Sequence, residues 1–446
     1  PKFASRLQLG FFPPNGRAFR LQPGPEFPKE MMGSGLQEEL DKITDLLHEG
    51  LRNSNFNAEM HEGLQDLGIG TMNLLCEEGR FQGDLHFSSV PPTNLALLPG
   101  RMDGVSDWFR WNDYMDITEV KHRYPKAKYT EKMASEQKRN PKRKTKIVEA
   151  TVYDEQDKFK DEYTYYLISE TDNCILIKER LKGRGSQPWI TTRWSKSGFE
   201  VWGRGPVLQA MPAIKTLNLT VQLILENAEM AIAGSYVYDD DGVFNPDNIT
   251  IQPGTFIPRS PGSSIESLQS AGRFDVAQLV IDDMRRNVRK ALFIDELDTR
   301  PNARTPLSAT EVSERLADVA RDMGAVAGRM QKEFLQPLVE RLIYIYTKQG
   351  LLDIPKVDGR ELRIVPVSPL LRAQDQQDVS DFVRFQQTVA STFGPEITPV
   401  LYNQEMVIRF LAQKFGIKEE LLAEQSQVQD NVQMLQQLMQ QGQMPQ

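Results

Sequence analysis

The chain predicts a helix-rich α+β fold, and three features of the sequence predict it. Apolar residues recur at threes and fours from Leu36 onward, β-branched and aromatic runs follow between residues 147 and 194, and two long apolar helices then flank a short Gly/Pro-rich module. At 446 residues, 39% hydrophobic and 26% charged, the chain has room for several packed units.

The elements follow in order. Phe12 to Gly35 contains Pro13, Pro14, Pro23, Pro25 and Pro28 and reads as extended chain, within an N-terminal arm over residues 1–35. Leu40, Ile43, Leu46, Leu47 and Leu51 share one helical face that ends near Ser54 or Asn55. A second helix carries Met60, Leu64 and Leu67 and meets Gly68-Ile69-Gly70-Thr71, after which Met72–Cys76 and Leu85–Val90 read as strands. Ile147–Tyr153, Glu162–Ser169, Cys174–Leu181 and Trp189–Trp194 predict an antiparallel meander.

Pro206 suits the first turn of a helix that continues to Ala233, roughly 40 Å at 1.5 Å per residue, and is apolar around much of its circumference. A β-rich insertion, Gly234–Gly272, follows, with strands expected at Tyr236–Tyr238, Ile249–Ile251 and Thr255–Ile257, and then a helix over Phe274–Phe293. Asp295 to Pro306 reads as a mobile polar loop. Ser308-Ala309-Thr310-Glu311 has capping-box spacing and opens a long helix to about Lys348, with a kink expected at Pro337. Gly324 and Gly328 fit either ordinary interruptions of that helix or close approach of a neighbour. A strand at Leu362–Val367, a helical stretch over Asp375–Phe393 and amphipathic helices from Gln404 complete the chain. In the Gln-rich tail Val428, Val432, Leu435 and Met439 fit a self-associating seam, with disorder as the alternative.

The net charge of −8 argues against tight sequence-specific binding to duplex DNA. Against that background Lys121 to Lys146 places Lys121, Arg123, Lys126, Lys128, Lys132, Lys138, Arg139, Lys142, Arg143, Lys144 and Lys146 against Glu131 and Glu136 alone. Such a block fits a nucleic-acid or acidic-partner contact, or a solvated face, and the solvated face is favoured. Leu217–Leu225 and Ala228–Val237 are too interrupted by polar residues to span a membrane. No charged-then-apolar leader follows Pro1, so no secretory signal is expected, and the natural start can lie upstream.

Chemistry-bearing patterns are sparse. Cys76 and Cys174 sit in unlike contexts and suggest neither a disulfide nor a thiolate metal site. His48, His61, His86 and His122 are scattered. Asp239-Asp240-Asp241-Gly242 lacks the alternating ligands of a calcium loop and reads as an acidic turn, and Gly68-Ile69-Gly70-Thr71 as a helix-ending turn. No Walker loop, HExxH or GxSxG occurs, so no enzyme, metal or cofactor is expected. Dispersed hydrolytic carboxylates among Asp282, Asp283, Asp295 and Glu296 are the enzymatic alternative.

Five short motifs occur in order: Ser54-Asn55-Phe56, Gly68-Ile69-Gly70-Thr71, Val90-Pro91, Gly203-Arg204-Gly205-Pro206 and Leu307-Ser308-Ala309-Thr310-Glu311-Val312. As a set they resemble the podovirus head-to-tail connecting (portal) protein family. The resemblance implies a phage portal fold with wing, stem, clip and crown parts. The wing would take 36–202, the stem helices 203–233 and 273–294, the clip 234–272 and a tunnel loop 295–307. A long kinked helix would take 308–350, a wing-to-crown transition 351–403 and the crown 404–446. It implies a dodecameric ring at the portal vertex of a short-tailed phage virion, passing double-stranded DNA without sequence preference during packaging and ejection. Its partners would be a tail adaptor, the terminase motor and the major capsid protein, with no membrane. The residues assigned by this implication are Asp298, Arg300, Asn302 and Arg304 in the tunnel loop. Tyr238, Asp240, Phe244, Asp247, Phe256 and Arg259 would contact the adaptor, and Leu217, Val221, Ile224, Leu279, Met284 and Val288 would pack between stem subunits. A minor capsid or tail adaptor protein is the alternative within the same non-enzymatic class.

Overall fold

In Lys2–Phe11 (α1), Phe3, Ala4, Leu7 and Phe11 are buried at one-, three- and four-residue steps, so a short amphipathic helix forms ahead of the proline-rich segment. The structure is a computed structural model that describes residues 1–13, 16–24, 34–100, 104–154, 162–233, 236–239, 256–259, 266–267, 274–294, 323–352, 362–367, 379, 382–392, 407–408 and 411. The chain divides into two units, Pro1–Arg204 with Thr299–Gln446, and Gly205–Asp298.

In the first unit the proline-rich entry supplies a strand, Phe19–Pro23 (β1). Helices Ser34–Asn53 (α2) and Phe56–Ile69 (α3) follow, then strands Thr71–Glu78 (β2) and Leu85–Ser89 (β3). β1 is held against α2 by buried polar groups. Arg20 Nε and Nη2 donate to the two carboxylate oxygens of Asp41 at 2.7 and 2.6 Å, and the Leu21 amide donates to Thr44 Oγ1 at 3.2 Å. Its edge partner comes from the far end of the chain: β1 pairs antiparallel with Leu362–Pro366, from Phe19↔Pro366 to Pro23↔Leu362.

Leu95–Pro99 (β4), Val105–Asp116 (β5), Lys144–Tyr153 (β6), Glu162–Ser169 (β7) and Cys174–Lys182 (β8) form a five-stranded antiparallel sheet in sequence order. Two short helices, Ile117–Arg123 (α4) and Glu131–Arg139 (α5), interrupt it between β5 and β6. The meander was read from β6 to β8; β4 and β5 were not. The fourth expected strand, Trp189–Arg193 (β9), leaves the meander and pairs with β2 in a separate sheet of order β3-β2-β9. Polar pairs stitch the two sheets together: Trp108 Nε1 donates to Thr191 Oγ1 at 2.8 Å and Trp189 Nε1 to Thr151 Oγ1 at 3.1 Å, while within the second sheet Thr191 Oγ1 donates to Asn73 Oδ1 at 3.0 Å.

The predicted capping box at Ser308–Glu311 lies outside the described residues, and the helix after it is not continuous. Gly324–Arg329 is α-helical, Met330–Leu335 widens into a π turn, and Gln336–Lys348 resumes the α-helix with Pro337 in its first turn. The irregularity therefore precedes the proline. Pro337 has no N–H to offer the carbonyl of Glu333, four residues back, and that carbonyl accepts from Thr192 Oγ1 at 3.3 Å instead.

The second unit contains Pro206–Ala233 (α6), the strands Tyr236–Asp239 (β10), Phe256–Arg259 (β11) and Glu266–Ser267 (β12), and Phe274–Ala291 (α7). β10 lies between a parallel β11 and an antiparallel β12. Two of the expected strands are matched closely; the expected strand at residues 249–251 lies outside the described residues.

Candidate functional site

Each apolar helix of the second unit has its own answer to the question of what covers it. On α6, Ile214, Leu217, Val221, Ile224 and Ala228 are half-buried at spacings of three and four, and on α7 Ile281 is buried with Met284, Val288 and Ala291 half-buried in the same rhythm. These are the stripes by which the two helices pack. Five of the six predicted stem residues, Leu217, Val221, Ile224, Met284 and Val288, therefore lie on stripes turned toward the partner helix of the same chain. Leu279 is on the opposite side of α7 and 70% exposed.

Sequence reasoning missed a second stripe. At 100° per residue, Leu208, Leu219 and Leu223 fall on the side of α6 opposite its α7-facing stripe, and they are 47%, 56% and 49% exposed. The apolar circumference was legible in the sequence; which half of it α7 covers was not.

The predicted adaptor-contact residues are only partly described. Tyr238 sits in β10, and Phe256 and Arg259 in β11, at the register Tyr236↔Phe256 and Asp239↔Arg259. Asp240, Phe244 and Asp247 lie outside the described residues, as do Asp298, Arg300, Asn302 and Arg304 of the expected tunnel loop. Asp282 and Asp283, from the hydrolase alternative, point to solvent on α7 beside Arg285 and Arg286 at 3.7 and 3.4 Å, an arrangement of surface ion pairs.

Several motifs that carried the family resemblance supply junctions of the first unit, while the motif at Leu307–Val312 lies outside the described residues. Asn55 mimics a strand against β3: its Nδ2 donates to the Phe87 carbonyl and its Oδ1 accepts from the Phe87 amide, both at 2.8 Å. Phe56 sits in a cluster with Phe12, Phe87 and Phe334. Gly70 and Gly203, from two different motifs, meet backbone to backbone so closely that a Cβ on either would strike the other's carbonyl oxygen. The Gly203 amide donates to Thr71 Oγ1 at 2.8 Å and the Trp194 amide to the Gly70 carbonyl at 3.0 Å, which fixes the contact. The Val90 amide donates to the Asn73 carbonyl at 2.9 Å.

A cleft of about 570 Å³ lies beside the π turn, lined by Trp108, Tyr163, Trp189, Arg193, Lys332 and Glu333 among others. The Glu333 carboxylate in it accepts from Arg193 and, at 3.5 Å, from Arg329. Cys76 is buried, its thiol pushed up to about 12 by loss of solvent, and Cys174 is raised for the same reason; neither is an activated nucleophile. Among the described residues no cluster of His, Cys, Asp and Glu could hold a metal, and no helix is long and apolar enough to cross a membrane.

Among the described residues, the first unit is built around packing junctions, and α6 of the second unit exposes Leu208, Leu219 and Leu223. Residues 1–422 match the family described as bacteriophage head to tail connecting protein. The chain belongs to that family. This connecting protein is 25% identical over 253 residues to the probable portal protein of Bordetella phage BPP-1, across 54% of the chain and 44% of that protein. It is 24% identical over 275 residues to the portal protein of Salmonella phage epsilon15, across 59% and 48%. The chain spans about half the length of these curated relatives. Among solved structures it is similar to a chain in the neck of an empty GTA particle, at a TM-score of 0.41 and 10% identity over 92% of this chain and 89% of that one. A chain of the native gene transfer agent virion gives 0.34 at 11%, over 92% and 93%. Both scores are too low to argue a shared fold. The family assignment makes the protein a connector at the head-to-tail junction of a phage virion.

Proposed function

We propose that this connector is the portal subunit of a short-tailed phage, twelve copies of which close into a ring around a channel for double-stranded DNA. Under this reading the part played by the chain is structural, α6 and α7 are stem helices, and the β10–β12 module is the clip that meets the tail adaptor and the terminase motor. The wing takes 36–202 and contacts the capsid, the loop 295–307 lies in the tunnel, and the crown takes 404–446. Transient backbone contacts from Arg300, Asn302 and Arg304 fit a channel whose overall acidity keeps DNA from sticking.

The observation that carries the reading is the leucine stripe Leu208, Leu219 and Leu223, exposed on the side of α6 turned away from α7. A closed ring of identical chains supplies a neighbouring stem to cover it, with Leu279 on the outer side of α7 as a counterpart. The test is light scattering together with negative-stain imaging of the purified chain. Closed rings with a central hole are expected; a single chain at every concentration would overturn the proposal.

A further inference from the structure

We infer that the basic helix pair α4–α5 is a DNA-binding surface that grips the phosphate backbone of duplex DNA without reading sequence. Charge is divided very unevenly in this chain. Residues 121–146 hold eleven Lys and Arg against two Glu, a net of +9, so the other residues together carry −8 − 9 = −17.

The block is a built platform. Met133 of α5 and Ile117 and Val120 of α4 are fully buried in one core with Met115, Ile147, Leu167 and Leu176 of the sheet. Between the helices the Lys128 amide donates to the Leu176 carbonyl at 2.8 Å, and Thr118 Oγ1 donates to the Pro141 carbonyl at 2.9 Å. Cations near the sheet are neutralised: Arg143 by Asp172 and Glu136, Lys144 by Asp116 at 2.9 Å, Lys146 by Glu170 at 2.8 Å. The outer eight, Lys121, Arg123, Lys126, Lys128, Lys132, Lys138, Arg139 and Lys142, are exposed and form no ion pair among the described residues.

The chemistry of that surface selects the partner. Six of the eight are lysines, compact mobile charges suited to phosphates and depleted in protein interfaces. Among the described residues of 121–142, the exposed ones include no large apolar side chain to seed a protein contact. Tyr124 and Tyr129 pack against the core, which leaves no aromatic platform for single-stranded bases. Duplex phosphate is the partner left, and a lysine array of this kind binds it weakly and slidingly.

The test uses the full chain and a random-sequence duplex, with anisotropy titrations from about 50 to about 200 mM salt. K121Q/K126Q/K132Q/K138Q should lower the slope of log K against log salt by about 3 to 4, and weaken binding at least about tenfold at low salt. The control K2Q/R80Q/K178Q/K182Q, with as many charges removed elsewhere on the surface, should bind as the unsubstituted chain does. Duplex should also protect Lys121, Lys126, Lys132 and Lys138 from acetylation in the unsubstituted chain, a readout that needs no variant to fold. Equal loss in both variants, no loss in the first, or absence of protection overturns the inference. Preference for poly-glutamate over duplex overturns it in favour of an acidic protein. Whether rings form has no bearing on these readouts, so the portal reading fails or stands separately.

Discussion

The Arg193 backbone amide and guanidinium converge on the Glu333 carboxylate, at 3.0 Å from the amide, 3.1 Å from Nε and 2.7 Å from Nη2. This pair joins β9 to the π turn, and with Thr192 on the Glu333 carbonyl it holds the discontinuous halves of the first unit together. Glu333→Ala removes the carboxylate from a guanidinium that is only 6% exposed, and should cost about 3–5 kcal/mol. Chemical denaturation checks it, and Glu333→Gln should lose less because the amide oxygen still accepts.

Gly50 of α2 lies under the Tyr346 hydroxyl, which donates to the Gly83 carbonyl at 3.2 Å. Gly50→Ala should cost about 1–3 kcal/mol by overpacking. Tyr346→Phe in the same chain removes the oxygen the new methyl strikes and should restore part of that loss, so a double-mutant cycle should return a favourable coupling.

His48 is held below its ordinary pKa chiefly by burial. Its Nδ1 donates to the Thr44 carbonyl at 2.8 Å and its Nε2 accepts the Ala18 amide at 3.1 Å, an arrangement open only to the neutral ring. A folded pKa below the unfolded 6.5 means the unfolded chain takes up the proton first. Stability from this site is therefore complete above about 6.5 and falls by up to about 1.4 kcal/mol per pH unit below it, until the native ring titrates. Melting curves between neutral and mildly acid pH should show this slope, reduced in His48→Gln.

Leu219→Asp with Leu223→Asp places two carboxylates on the uncovered side of α6. Under the portal reading, light scattering should show loss of rings while the stability of the lone chain changes by less than about 1 kcal/mol, because exposed substitutions cost little. Val221→Asp, on the stripe facing α7, should instead destabilise the chain itself.

Deletion of residues 298–304 tests the tunnel-loop assignment. Rings should persist while packaging or genome retention fails; normal infectious yield would remove the loop from the mechanism.

Regular periodicity was readable wherever one partner sufficed to explain it. Strands β6 to β8 are runs of β-branched and aromatic residues bounded by charged or glycine-containing turns and were legible, whereas β5 mixes Trp108, Phe109 and Trp111 with Asp107, Arg110 and Asn112. Its polar residues are matched by Tyr153, whose amide donates to Asp107 Oδ1 at 2.8 Å, and by Glu149, which accepts from Asn112 Nδ2 at 3.3 Å. β9 follows β8 in sequence yet pairs with β2, since pairing choice depends on distant residues such as Asn73 and Thr191. The stem stripes were half legible: hydrophobicity marks both sides of α6 alike, and only packing reveals which side α7 occupies. The motifs at Gly70 and Gly203 drew notice one by one, but their meeting is a fact of three dimensions.

The pairing of Phe19–Pro23 with Leu362–Pro366 has a consequence for biosynthesis. The first strand leaves the ribosome some 340 residues before its partner, a wait of about 17–70 s at about 5–20 residues per second. Throughout that interval the nascent chain displays an unclaimed edge, and the whole of the second unit is translated before the first can close. Closure of the first unit is thus tied to the synthesis of residues 362–366.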